Sequence, residues 1–512
     1  MRSEKGIVAA GHEETARAAT EVLLAGGNAF DATLAAMLAA CVVEPILASP
    51  GGGGFLTAKP VGSDAEVYDF FAQTPKEKLP DGSIDFRPIV ADFGTASQTF
   101  HIGMGAIAVP GFVRGLFAIH RDHCRMPLDA LAAPAIRLAR EGVILNPFQD
   151  LIARIVSPIL MATPEARAIH ASPADCGRLI QAGERHRQPA LGDFIDALQH
   201  EGERLFYAGE VGGALIEDCR TGGGHLRRRD LLDYRMARRR ALQTGYRGTR
   251  LITNPMPSLG GTLIAFALGL LESEPPPADG AGGEIRLRGL ARVMRLTQQL
   301  RNEEQTLMEQ VLTPAVAARY RALLRTGTVA QRGTTQISIA DAEGNLASTT
   351  LSNGEGSGYV VPDTGIMMNN MLGEEDLNPA GFHRWTENQR LSSMMAPTLL
   401  MSTGGDAIVT GSGGSNRIRS AILQVISNLL DFDMTVAQAV SQPRIHYEGE
   451  LLSIEPGIDP AIARRLHDEF PQQQLWQEKN LFFGGAHTVL RRADGSLSGV
   501  GDERRGGVAM RV

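Results

Sequence analysis

Hydrophobic positions come in short runs that change period along the chain. Residues 6–10 form an apolar run that reads as a buried strand, and residues 13–25 repeat with helical spacing until Gly26-Gly27 stops them. Residues 30–43 are apolar on nearly every side, the signature of a helix buried between layers. Pro50 and Gly51 to Gly54 break the chain before a strand at Phe55-Leu56-Thr57. From Met126 to about Gly212 the pattern is helical, as at Leu128, Leu131, Ala135 and Leu138. A Pro- and Gly-rich linker over residues 275–283 precedes a long polar helix over residues 284–311.

Beyond Gly333 the period shortens to two. Residues 335–340 read as a strand, 341–345 (Asp-Ala-Glu-Gly-Asn) as a hairpin turn and 346–351 as the return strand. Further strands are expected at 366–368, 398–401, 407–410, 451–454 and 487–490, and helices at 415–430, 436–441 and 460–469. Helices alternating with sheets predict a layered α/β arrangement.

Composition narrows the class. The chain has 512 residues, of which 43% are hydrophobic, so a large core is available; 58 glycines promise tight turns. A net charge of −7 gives no footprint for nucleic acid. Cys41, Cys124, Cys176 and Cys219 form no C-x-x-C pair, which argues against a zinc ribbon or a disulfide framework. No apolar run reaches membrane-spanning length, so no membrane partner is expected. Met1 to Gly11 lacks a signal-peptide pattern, which points to the cytoplasm, or to the periplasm or medium if a leader has been removed.

The chemistry centres on Gly333-Thr334-Thr335-Gln336-Ile337-Ser338. A threonine hydroxyl is a poor nucleophile unless a base sits beside it. At a free N-terminus its own α-amine, with a pKa of about 8, can take that proton. Cleavage after Gly333 would create this terminus, and glycine offers little hindrance to attack on its carbonyl. On the dipeptide alone, two threonines opening a strand is the commoner reading.

The wider chain resembles the γ-glutamyltranspeptidase family, of the N-terminal-nucleophile hydrolases. The likeness runs through Gly6-Ile-Val-Ala-Ala-Gly-His12, Ala25-Gly-Gly-Asn-Ala-Phe-Asp31, Val43-Glu-Pro45, Gly51-Gly-Gly-Gly-Phe55 and Val109-Pro-Gly111. It continues through Pro255-Met-Pro-Ser-Leu-Gly-Gly261, Gly365-Ile-Met-Met-Asn-Asn370, Leu391-Ser-Ser-Met-Met-Ala-Pro397 and Thr410-Gly-Ser-Gly-Gly-Ser415. Phe482-Phe-Gly-Gly-Ala-His487 and Asp502-Glu-Arg-Arg-Gly-Gly507 close it.

The resemblance implies a four-layer αββα sandwich from one precursor that cuts itself between Gly333 and Thr334, giving a large subunit (1–333) and a small one (334–512) that stay paired. Thr334 would attack the amide of a small molecule or peptide and pass the acyl group to water or an amine, without metal or cofactor. By position, Ser352 matches the hydroxyl that orients the nucleophile, and Gly413 and Gly414 match the amide pair of the oxyanion hole. Ser392 and Ser393 match the serine pair on the donor's α-carboxylate, and Asn353 a residue near its α-amine.

The acyl-binding pattern departs from the family. Phe71 stands where an arginine for the donor carboxylate is expected, Met371 where a glutamine is, and Glu374 where an aspartate is. Phenylalanine offers none of the paired hydrogen bonds an arginine fork makes. Either Arg390 substitutes, or the donor is a different amide, as for the cephalosporin acylases of the family. A third reading is a non-maturing scaffold.

Two other signals have bland explanations. His120-Arg-Asp-His123-Cys124 reads as the polar end of a helix rather than a metal site, and Arg227-Arg228-Arg229 with Arg238-Arg239-Arg240 as a solvated face or subunit contact.

Overall fold

The computed structural model describes residues 4–92, 97–302, 312, 334–378 and 381–512. Two antiparallel sheets stack in its centre. The first has seven strands in the order Val508–Arg511, Gly6–Ala10, Thr335–Asp341, Leu346–Ser352, Gly53–Lys59, Glu66–Asp69 and Ala237–Arg240. The second has six: Leu497–Val500, Thr488–Arg491, Ala407–Thr410, Thr398–Ser402, Thr249–Thr253 and Leu242–Tyr246.

Alternation along the strands assigns each face. Ile337 and Ile339 pack with Val8, Leu34, Ala35 and Leu38 beneath the helices Glu13–Leu24 and Ala29–Val43. The opposite face, with Ile7, Phe55, Val67 and Ala340, packs on Leu251, Leu399 and Val489 of the second sheet. That sheet is covered in turn by the helices Leu259–Glu272 and Arg417–Asp431. Helices, two sheets and helices give the expected αββα sandwich.

The Ala29–Val43 helix lies along the Thr335–Asp341 strand and is fixed at both ends. Its first amide, on Ala29, donates to Asp341 Oδ2 at 2.9 Å; just past its last turn, Glu44 accepts from the Thr335 hydroxyl at 2.6 Å. The lengths suit this. The 15-residue helix at roughly 1.5 Å per residue and the 7-residue strand at roughly 3.3 Å both span about 23 Å.

Several expectations are corrected. Ser415 has φ 53°, so the helix expected from residue 415 starts at Arg417. The helix expected over 460–469 ends at Leu466. The polar helix from Glu284 is described to Asn302, and the remainder of the expected element, with Gly333, lies outside the described residues. Arg238, Arg239 and Arg240 lie on an edge strand, with Arg238 and Arg240 exposed as expected of a solvated face, Arg238 paired with Glu66 and Arg239 with Asp69. His120 and His123 do end a helix, Phe112–His123.

Candidate active site

The first sheet brings Thr334 and its neighbours to one end. Thr335 pairs with Leu351, so the same register carries Thr334 opposite Ser352, which itself pairs with Gly53. Both side chains are buried, Thr334 at 4% and Ser352 at 7% exposure. Glycine is required next to them. A Cβ on Gly52 would lie 2.4 Å from the Ser352 carbonyl, and one on Gly53 2.6 Å from the Phe70 carbonyl. The run Gly51 to Gly54 therefore lets three chain segments meet at the site.

From the second sheet comes the turn after Ala407–Thr410. A Cβ on Gly413 would lie 2.0 Å from the Thr334 carbonyl oxygen, so this glycine touches the Thr334 backbone directly. Gly414 has φ 116°, a conformation that excludes ordinary side chains. The Ser412 hydroxyl donates to the Gly413 carbonyl at 2.8 Å and accepts from the Gly485 amide at 3.0 Å, which fixes the turn. Arg505 closes this side: its Nη1 donates to the Thr334 carbonyl at 3.3 Å, and its guanidinium lies against Gly413 and Gly414. Burial holds Arg505 down at about 10, still cationic at neutral pH.

Beneath Thr334, on the same strand face, runs a polar ladder between the sheets. Gln336 Nε2 donates to Ser338 and Ser348 Oγ at 3.0 and 2.9 Å, and its Oε1 accepts from Thr350 at 2.6 Å. Ser338 and Ser348 donate to the carbonyls of His487 and Thr410 in the second sheet, at 2.9 and 2.8 Å. With every partner satisfied, such a ladder fixes the spacing of the sheets.

The residues expected to hold the acyl group form an adjoining wall. Ser352 Oγ accepts from the Gly354 amide at 3.0 Å; a Cβ on Gly354 would meet both Asn370 Oδ1 and Glu374 Oε1 at 2.2 Å. Asn353 donates to the Met367 carbonyl at 3.3 Å, and its buried Oδ1 has no hydrogen-bond partner. The Leu391 amide donates to the Ala72 carbonyl at 3.0 Å, which sets Ser392 and Ser393 beside the Phe71 segment. Ser392 Oγ also has no partner, whereas Ser393 Oγ accepts from the Met395 amide at 3.1 Å.

Phe71 and Met371 are fully interior, and Phe71 stacks on Phe55 at 5.4 Å. Arg390 does not replace the missing cation. Its guanidinium donates to the carbonyls of Phe71 and Arg235 and to the Tyr234 hydroxyl, and it faces Asp69 at 3.4 Å. These contacts bind the two chain segments together and leave the guanidinium turned to the protein.

Two other arrangements are set aside. Ser420 Oγ, His446 and Glu448 form a chain of 2.7 and 3.1 Å contacts, but Ser420 lies within a helix and the void beside it is about 10 Å³. A groove of about 740 Å³ between the helices Leu259–Glu272 and Glu284–Asn302 contains none of the residues above. Among the described residues no cluster of His, Cys, Asp or Glu could hold a metal, and no helix is long and apolar enough to cross a membrane.

Comparison with known proteins agrees with this geometry. The sequence profile of the family described as Gamma-glutamyltranspeptidase matches residues 15–512. The chain belongs to the gamma-glutamyltranspeptidase family. It is 26% identical to the glutathione hydrolase proenzyme of Escherichia coli (strain K12), covering 98% of this chain and 91% of that one. It is 27% identical to the acylase ACY 1 proenzyme of Pseudomonas sp. (strain V22), covering 99% and 94%. The crystal structure of cephalosporin acylase from Bacillus halodurans has the same fold, with a TM-score of 0.85 at 23% identity over 99% of this chain and 96% of that one. Membership makes the chain an enzyme of the amidohydrolase and acyltransferase kind, and the scaffold reading is set aside.

Two residues that hold the Thr334–Thr335 backbone were not singled out by sequence reasoning. Arg505 sat in a motif without a role. Glu44 did so too, although an acidic residue ending an otherwise apolar helix is a signal in itself: a buried carboxylate needs partners.

Proposed function

We propose that the precursor cuts itself between Gly333 and Thr334, and that residues 1–333 and 334–512 remain together as one self-processed amidohydrolase and acyltransferase. The observation that carries this reading is the placing of Thr334. It stands just before the central strand Thr335–Asp341, with its carbonyl against Gly413 and across from Ser352. Once freed, its α-amine takes the hydroxyl proton while Oγ bonds to the acyl carbon of a γ-glutamyl or related amide. The negative charge on the carbonyl oxygen meets the amides of Gly413 and Gly414, with Arg505 adding positive charge behind them. The C–N bond then breaks and the amine leaves with the proton. Water or a second amine attacks the ester, releasing the acyl group and restoring Thr334. Ser352 orients the hydroxyl; Asn353, Glu374, Ser392 and Ser393 hold the acyl part.

A second reading of the donor rests on one observation: Phe71 and Met371 are interior and Arg390 is engaged elsewhere, so neither the place expected of the arginine nor Arg390 supplies a cation to a donor α-carboxylate. On that reading the enzyme is an acylase for an amide without the glutamyl α-groups. The test compares γ-glutamyl p-nitroanilide with straight-chain acyl p-nitroanilides. A KM for the γ-glutamyl compound above about 1 mM, with better turnover of a plain acyl anilide, supports the acylase. Efficient γ-glutamyl turnover at low substrate concentration overturns it.

A further inference from the structure

Glu44 is wholly buried, yet its carboxylate takes no part in the steps above. Oε2 accepts from the Thr335 hydroxyl at 2.6 Å and Oε1 from the Thr15 hydroxyl at 2.8 Å. Gly11 seals the group in, since a Cβ there would lie 2.5 Å from Glu44 Oε2 and 2.8 Å from Thr335 Oγ1. Thr335 is the residue after the nucleophile. Its side chain points to the helical layer with Ile337 and Ile339, while Thr334 faces the second sheet. The backbone between them is therefore held from both sides, by Arg505 on the Thr334 carbonyl and by Glu44 on the Thr335 hydroxyl.

The hold is also set lengthwise. Asp341 joins one end of the Ala29–Val43 helix to the far end of the same strand, and Glu44 joins the other end at Thr335. The helix acts as a ruler that places the start of the strand. A freshly cut strand end lacks the covalent tether that precedes it, and chain termini fray unless tied down. A glutamine would fill the same space at less desolvation cost. Only the ionised carboxylate accepts from both hydroxyls at once with charge-assisted bonds.

We propose that Glu44 is a positioning residue for the Thr334 nucleophile, its ionised carboxylate holding the cut end of the strand in register through the Thr335 hydroxyl and loosening that hold when protonated. This inference rests on the self-processing reading above. Protonation turns one acceptor oxygen into a donor, so one of the two hydroxyls must accept instead of donate and a charge-assisted bond becomes a neutral, weaker one. Burial pushes the Glu44 carboxyl up to about 7, against the opposing pull of the two hydroxyls and of Arg505, so the change falls near neutral pH. The groups facing Glu44 are Thr15 from the Glu13–Leu24 helix, Thr335 from the strand and Arg505 from the C-terminal segment. On its own helix Cys41, whose thiol burial and Glu44 together push upward, faces it as a neutral group. The α-amine freed at Thr334 adds a titration of its own at about pH 8.

The test uses the full chain as wild type, E44Q, T335V and T335S. Self-cleavage, which needs no added substrate, is followed by denaturing mass. Hydrolysis of whichever p-nitroanilide the wild type turns over best, γ-glutamyl or straight-chain acyl, is followed from about pH 5 to about pH 9, with kcat and KM separated. In the wild type kcat is expected to rise through an inflection near pH 7 before that of the α-amine. E44Q and T335V lose the lower inflection and show kcat about tenfold lower at pH 8, with KM within about twofold. T335S, which keeps the hydroxyl, restores the wild-type profile. If E44Q does not fold, the T335V and T335S pair decides alone. A cleaved wild type with E44Q or T335V matching its kcat and profile overturns the inference and leaves self-processing intact. A wild type that stays whole at every pH overturns the self-processing reading, and this inference with it.

Discussion

The two halves of the site are built on different terms. Around Thr334 the backbone is gripped: Gly413 touches its carbonyl, Arg505 donates to it, Glu44 holds the next residue and Gln336 anchors the same strand face. Around the acyl wall the polar atoms are looser. Ser392 Oγ and Asn353 Oδ1 have no hydrogen-bond partners, and Phe71 and Met371 fill the places expected of an arginine and a glutamine. Bond making needs atoms fixed to a fraction of an ångström, whereas the choice of donor is set by which groups line a wall. A family can keep the first region and vary the second.

The sharpest break of that contrast is Thr334→Ala, which should stay a single chain with activity reduced by at least about a thousandfold. Cleaved Thr334→Ala protein would remove Thr334 from its role. Next comes Gly413→Ala, whose Cβ has no room beside the Thr334 carbonyl. Steady-state kinetics should show a loss of kcat of about a hundredfold or more. Activity near wild type would mean that the turn yields and the grip on Thr334 is not tight.

On the acyl side, Phe71→Arg tests whether a cation can be restored by one change. It should not be, because Phe71 is interior against Phe55 and an unpaired charge there costs at least about 3 kcal/mol. Chemical denaturation should show the loss, and unchanged stability with improved γ-glutamyl KM would mean that the wall opens to solvent. Smaller still is Ser392→Ala. Its hydroxyl has no partner, so stability should change by less than about 0.5 kcal/mol. KM should rise only for donors carrying a group that bonds there.

The pH dependence of stability separates the regions without any substrate. Glu44 has its folded pKa raised, to about 7, above the ordinary carboxylate value. Its stabilising contribution is complete below about pH 4.5 and is lost as pH rises through 7, because only the unfolded chain ionises freely in that window. Glu44→Gln removes the effect, so its melting temperature relative to wild type should rise between about pH 5 and about pH 8. A constant difference would show that Glu44 does not change charge in that range.

Much of this was legible in the sequence for local reasons. The strand and turn from Thr335 to Ser352 alternate at period two, and the Ala29–Val43 helix is apolar all round, so each element declares its surroundings. The strand Ala237–Arg240 gave no such signal. Written Ala-Arg-Arg-Arg, it is stabilised by Glu66 and Asp69 on the neighbouring strand, a cross-strand pairing with no local periodicity. The late start of the helix at Arg417 follows from a left-handed Ser415, which hydrogen-bonds Asp376 in a distant segment at 2.8 Å. Arg390, charged and beside the serine pair, suggested a substrate contact; only the fold reveals Asp69, Tyr234 and two carbonyls around it. Glu44 and Thr335 are 291 residues apart, and no spacing announces their contact.

The roles proposed for Thr334 and Glu44 depend most on the cut that makes Thr334 a terminus. The direct measurement is intact mass under denaturing conditions, on freshly purified protein and again after incubation. Two fragments that meet between Gly333 and Thr334 are expected, with the full-length mass falling as they grow. A chain that persists whole, or fragments that meet elsewhere, would contradict those roles.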